Sequence, residues 1–121
     1  MNKTQRPRAL VIEDEGIVLL ELEFALRDLG YDVVGCANNI KTGEAMASHA
    51  QCDVAVIDFN LGGQESTPIA DSLHARGIPF VFVTGYTNST LPDRHAHLPL
   101  VSKPYSLEQL DSALRCALRQ G

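Results

Sequence analysis

At 121 residues the chain holds one domain, large enough for a real core and too small for two. Hydrophobic residues make up 45% and aromatics only 6%, with no Trp, which excludes a disordered segment and suits a compact α/β domain. The formal charge of -5 argues against nucleic acid or an anionic membrane as the main partner.

Residues 1–7 read as a flexible, solvated lead-in carrying Lys3 and Arg6, with Arg8 just beyond. A first apolar run, Ala9-Leu10-Val11-Ile12, ends in Glu13-Asp14. After Glu15-Gly16 the stripe Val18, Leu22, Ala25, Leu29 predicts an amphipathic helix that closes at Gly30. A second strand is predicted over 31–36, with Asn38 and Asn39 as turn or capping residues. A weaker helix follows over 42–50, and Gly43 costs it stability.

The third run, Val54-Ala55-Val56-Ile57, ends in Asp58. Asn60, Gly62 and Gly63 predict a flexible loop, and Ser66-Thr67-Pro68 caps a helix that buries Ile69 and Leu73 and stops at Gly77. The fourth run, Phe80-Val81-Phe82-Val83, ends in Thr84. Pro92 and Pro99 restrict any helix over 88–99 to a turn or two. The fifth run, Leu100-Val101-Ser102, leads into Lys103, and Ser106 caps a last helix with the stripe Leu107, Leu110, Leu114, Ala117, Leu118.

Continuous aliphatic runs of this length suit strands covered on both faces, as in a parallel sheet. Parallel strands bring their carboxyl ends to one edge, where open α/β sheets bind ligands. Glu13, Asp14, Asp58, Thr84 and Lys103 thus converge from distant places in sequence. Like charges at ~4 Å repel by roughly 4 kcal/mol at an effective dielectric near 20, so clustered carboxylates need a proton or a cation. An all-oxygen donor set suits a hard ion such as Mg²⁺. A carboxylate there is also a nucleophile toward phosphorus, with Lys103 and Thr84 as charge and hydroxyl for the phosphoryl oxygens. Taken singly, the acidic run is a solvated loop, Lys103 a surface lysine and Thr84 a strand-end residue.

In order and spacing, Glu13-Asp14, Asp58, Thr84 and Lys103-Pro104 resemble the receiver domain of two-component response regulators, over essentially the whole of 1–121. The resemblance implies a flavodoxin-like (βα)5 doubly wound fold with five parallel strands in the order 2-1-3-4-5. It implies Asp58 as phosphoacceptor for a histidine kinase or a histidine phosphotransfer protein. Mg²⁺ would be held by Asp14, Asp58 and the Asn60 backbone carbonyl, with Glu13 acting through water. Lys103 would contact a phosphoryl oxygen, its bond to Pro104 would be cis, and Thr84 would carry the switch. The aromatic usual three residues before the lysine is replaced by Leu100. Phe82-Val83-Thr84-Gly85-Tyr86 instead resembles the FAT-GUY subgroup, which makes Tyr86 a candidate reporter of phosphorylation, against a reading as a loop anchor.

The odd cysteine count (Cys36, Cys52, Cys116), the absence of C-x-x-C and the lack of a leader-like segment predict a cytoplasmic protein. Cys36 and Cys116 are expected to be small buried thiols, and His49 and His74 surface residues. His95 and His97 lack a third ligand, and Gly62-Gly63 is no phosphate-cradling motif. The reading is thus a stand-alone receiver, monomeric or weakly dimeric, acting through a downstream protein that the sequence does not name. Two rivals are a phosphorylation-independent interaction module and a metal-dependent phosphohydrolase. Against the latter, Asn60 stands where such enzymes carry a second acid.

Overall fold

The computed structural model describes residues 6–85 and 99–120. In chain order the elements are β1 (Arg8–Ile12), α1 (Gly16–Asp28), β2 (Asp32–Ala37), α2 (Ile40–His49), β3 (Val54–Asp58), β4 (Asn60–Leu61), β5 (Gln64–Glu65), α3 (Thr67–Ala75), β6 (Phe80–Thr84), β7 (Leu100–Ser102) and α4 (Leu107–Gln120). The main sheet is parallel throughout, in the order β2-β1-β3-β6-β7. Counted among themselves, its five strands follow the predicted 2-1-3-4-5 order of a flavodoxin-like fold.

Strand alternation divides the core in two. Ala9, Val11, Val54, Val56, Val81 and Val83 face α1 and α4. Leu10, Ile12, Ala55, Ile57, Phe80 and Phe82 face α2 and α3. One face is therefore paved with small side chains and the other filled by large ones. On the second face Phe82 meets Phe59 and Phe80 edge-on, with ring centroids 5.4 Å apart in both pairs. Burial on both faces explains why these runs are continuously apolar.

Gly43, which weakens α2 as an isolated helix, has a packing reason. A Cβ at this position would lie 2.6 Å from Ile69 Cδ1 and 3.4 Å from Ile12 Cγ2. The glycine lets α2 approach α3 and the sheet closely.

Several local expectations are corrected. The loop containing Asn60, Gly62 and Gly63 is a small antiparallel hairpin, β4–β5, whose turn glycines have φ of 57° and 87°. Two successive positive φ values are what a two-residue hairpin turn demands. Helix α2 starts at Ile40, because Asn39 Oδ1 accepts the Thr42 N–H at 2.8 Å. Strand β2 runs from Asp32, and Tyr31 packs into the core.

In α1 the deeply buried residues are Leu22 and Leu26; Val18, Ala25 and Leu29 only flank them. The Ser66 side chain does not cap α3, since its Oγ donates to the Phe59 carbonyl at 3.2 Å. Cys36 and Cys116 are partly exposed rather than fully buried. Arg6 donates to the carbonyls of Arg27 and Gly30, and the Pro7 carbonyl accepts the Asp32 N–H, so both are bonded to the body. Tyr86, His95, His97 and most of the segment 88–99 lie outside the described residues. Among the described residues no helix is long and apolar enough to cross a membrane.

Candidate functional site

The carboxyl edge of the sheet gathers the charged residues. Glu13 follows β1, Asp58 ends β3, Thr84 ends β6 and Lys103 follows β7. Glu13, Asp58 and Thr84 are buried, whereas Asp14 is exposed at the rim. Glu13, Asp14 and Asp58 each offer a carboxylate oxygen within 4.8 Å of the others. Asp14 and Asp58 border a cleft of about 430 Å³ lined also by Glu15, Asn60 and Lys103.

Asp58 is held at both oxygens. Its Oδ1 accepts the Asn60 N–H at 3.0 Å and its Oδ2 accepts Lys103 Nζ at 3.1 Å. Lys103 Nζ also donates to Glu13 Oε2 at 3.2 Å, and Glu13 Oε1 accepts the Glu15 N–H. The Lys103 N–H donates to the Thr84 carbonyl at 2.7 Å, and the Phe59 N–H to the Val83 carbonyl at 2.8 Å. The Lys103–Pro104 peptide bond is cis.

Charge balance explains the titration behaviour. Burial, and then the neighbouring Asp58 carboxylate, push Glu13 up to about 7 against the opposing Glu15 N–H and Lys103. Burial works against the charge on Lys103, but Asp58 and then Glu13 more than offset it, and its pKa is raised. Three carboxylates around one ammonium leave an excess of negative charge. An all-oxygen donor set with that excess fits a hard divalent cation such as Mg²⁺.

Sequence reasoning missed Gly62. Its N–H donates to Asp14 Oδ2 at 2.9 Å, joining the hairpin tip to the acidic cluster. Gly63 N–H in turn donates to Asn60 Oδ1 at 2.9 Å. The two partners of the Asp14 bond lie 48 positions apart, so no local pattern signals it.

Helix α1 starts just past Asp14, and Ile17, Leu20 and Phe24 on it are 76%, 52% and 58% exposed. Beside them Val18, Ala25, Tyr105, Leu107 and Leu110 line a cleft of about 370 Å³ that reaches Lys103.

Residues 9–115 match the response regulator receiver domain family. The chain belongs to that family. The solution structure of SdrG from Sphingomonas melonis Fr1 superimposes with a TM-score of 0.82 at 34% identity, covering 93% of this chain and 97% of that one. The sensory transduction protein RegX3 of Mycobacterium tuberculosis H37Rv is 31% identical over 93% of this chain and 51% of its own length. A CheY-like receiver from Methanospirillum hungatei JF-1, 22% identical with a TM-score of 0.80 over 96% of each chain, shares the fold. This receiver chain spans about half the length of the curated relatives it matches.

Proposed function

We propose that this receiver is a phosphoryl-accepting switch in two-component signalling, with Asp58 as the acceptor. The single observation that carries this is the Asp58 carboxylate, fixed between the Asn60 N–H and the Lys103 ammonium in a pocket it shares with Glu13 and Asp14. A carboxylate oxygen of Asp58 attacks the phosphorus of a phosphohistidine, the P–N bond breaks, and the imidazole leaves with its electron pair. The product is an acyl phosphate on Asp58.

Lys103, already paired with Asp58, supplies positive charge to the transferred oxygens, and Thr84 lies at the neighbouring strand end for the subsequent rearrangement. Asp14, Asp58 and the Asn60 carbonyl would hold Mg²⁺, with Glu13 behind a water. When bound, that ion neutralises charge on the phosphoryl oxygens.

The donor is a histidine kinase or histidine phosphotransfer protein. Its imidazole must enter over the rim, and the exposed Ile17, Leu20 and Phe24 beside that rim are the apolar surface on which it docks. Such a donor places the chain in the cytoplasm. The 41% exposure of Leu100, together with Thr84-Gly85-Tyr86, supports a FAT-GUY-like switch in which Tyr86 reports phosphorylation.

Incubation with acetyl phosphate and Mg²⁺, followed by intact mass, tests the reading. A single phosphate adduct that disappears in Asp58→Asn is expected. No adduct on the native chain, or an adduct that persists in Asp58→Asn, overturns it. Catalytic turnover of many different phosphate substrates would favour a phosphohydrolase instead.

A further inference from the structure

The hairpin β4–β5 is fastened in two different ways. Its base belongs to the body: the Ser66 N–H and Oγ both donate to the Phe59 carbonyl, at 2.9 and 3.2 Å, and the Phe59 N–H donates to Val83. Its tip is tied through Gly62 N–H to Asp14 Oδ2 at 2.9 Å. Asp14 is at the same time one of the three carboxylates of the acidic cluster. One exposed side chain therefore serves both the cluster and the tip, while the base is fixed by the Phe59 and Ser66 bonds and meets the cluster separately, through the Asn60 N–H on Asp58 Oδ1.

We infer that the Asp14–Gly62 hydrogen bond is a latch through which cation occupancy of the acidic cluster is communicated to the tip of the β4–β5 hairpin. A hydrogen bond from a neutral N–H to a carboxylate draws its strength from the full negative charge on the acceptor. A divalent cation taken up by Asp14 withdraws that charge and turns the carboxylate toward itself. The Gly62 bond weakens, and the tip loosens while the base stays fixed. Gly62 and Gly63 already adopt the positive-φ turn without side chains, so the tip moves without rearranging a packed group. The chain thereby acquires a surface element whose order differs between cation-free and cation-loaded states before any phosphoryl group arrives. This inference rests on the acidic cluster taking a divalent cation, as proposed above.

Amide hydrogen exchange and chemical shifts read by NMR during a Mg²⁺ titration test it. In the native chain, Gly62 exchange is expected to accelerate about tenfold at saturation, the factor equivalent to about 1.4 kcal/mol, while Phe59 and Ser66 stay protected. Asp14→Ala should show fast Gly62 exchange with or without Mg²⁺. Asp14→Asn, which keeps an acceptor oxygen but not the charge, should give a Gly62 exchange rate between those of the cation-free native chain and Asp14→Ala, unchanged across the same titration. Shifts at Asn60 and Glu15 without any change in Gly62 exchange would overturn the latch and leave the cation site standing. If no amide around the cluster responds to Mg²⁺, the cation reading falls and the latch with it.

Discussion

The Lys103 ammonium lies 3.2 Å from the fully buried carboxylate of Glu13, so one cation serves Glu13 and Asp58, the proposed acceptor, together. Burial, and then the neighbouring Asp58 carboxylate, outweigh the share of that charge that reaches Glu13, and its carboxyl rises to about 7. An acid raised by folding binds a proton that the unfolded chain has already released. Stability of the metal-free protein should therefore fall as pH rises from about 4.5 to about 7, by about 3 kcal/mol in total. Urea unfolding at pH 5 and pH 8 in chelator measures the slope. Glu13→Gln should flatten it, and a native chain that gains stability over this window would contradict the argument.

Removing the shared cation should cost most where both carboxylates are ionised. Lys103→Met is expected to lose about 2 kcal/mol at pH 8 without divalent ions, and less at pH 5, where Glu13 carries a proton. The same urea series reads this. Equal losses at both pH values would mean that Lys103 acts through packing alone.

Helix α2 should resist a side chain at Gly43. Gly43→Ala gains helix propensity of up to ~1 kcal/mol, yet its methyl would stand 2.6 Å from Ile69 Cδ1. A net loss of about 1–2 kcal/mol is expected. Ile69→Val removes the offending atom, so the double variant should be more stable than the sum of the two single losses predicts. Strict additivity would show that the close approach is not what constrains this position.

The proposed docking on α1 makes donor-specific predictions. Phe24→Glu should slow phosphotransfer from a histidine kinase that phosphorylates the native chain by about tenfold or more, the effect of losing an aromatic anchor. Labelling by acetyl phosphate needs no docking and serves as the control for an intact pocket. Equal slowing with both donors would move the effect from the surface to the site.

Long-range organisation was legible because strands covered on both faces must be continuously apolar, and each such run carried its polar terminus with it. The convergence of Glu13, Asp58, Thr84 and Lys103 at one edge follows from parallel pairing alone. The hairpin was not legible, since two residues on either side of Gly62-Gly63 are too few to show an alternating pattern. Leu26 was missed because a regular stripe drawn through Ala25 and Leu29 runs along the edge of the true buried face. Ser66 looked like a cap because serine before Thr-Pro usually is one; here a buried carbonyl of Phe59 claims its hydroxyl. The Asp14–Gly62 bond depends on how the folded loops meet, which no window of sequence contains.

The crosswise bonds at the sheet edge, Lys103 to Thr84 and Phe59 to Val83, stitch the ends of neighbouring strands to one another. Ammonium and carboxylate thus inherit the stiffness of the sheet beneath them. For the phosphoryl acceptance proposed above, less conformational entropy would then remain to be lost on encounter, because part of the alignment is completed during folding.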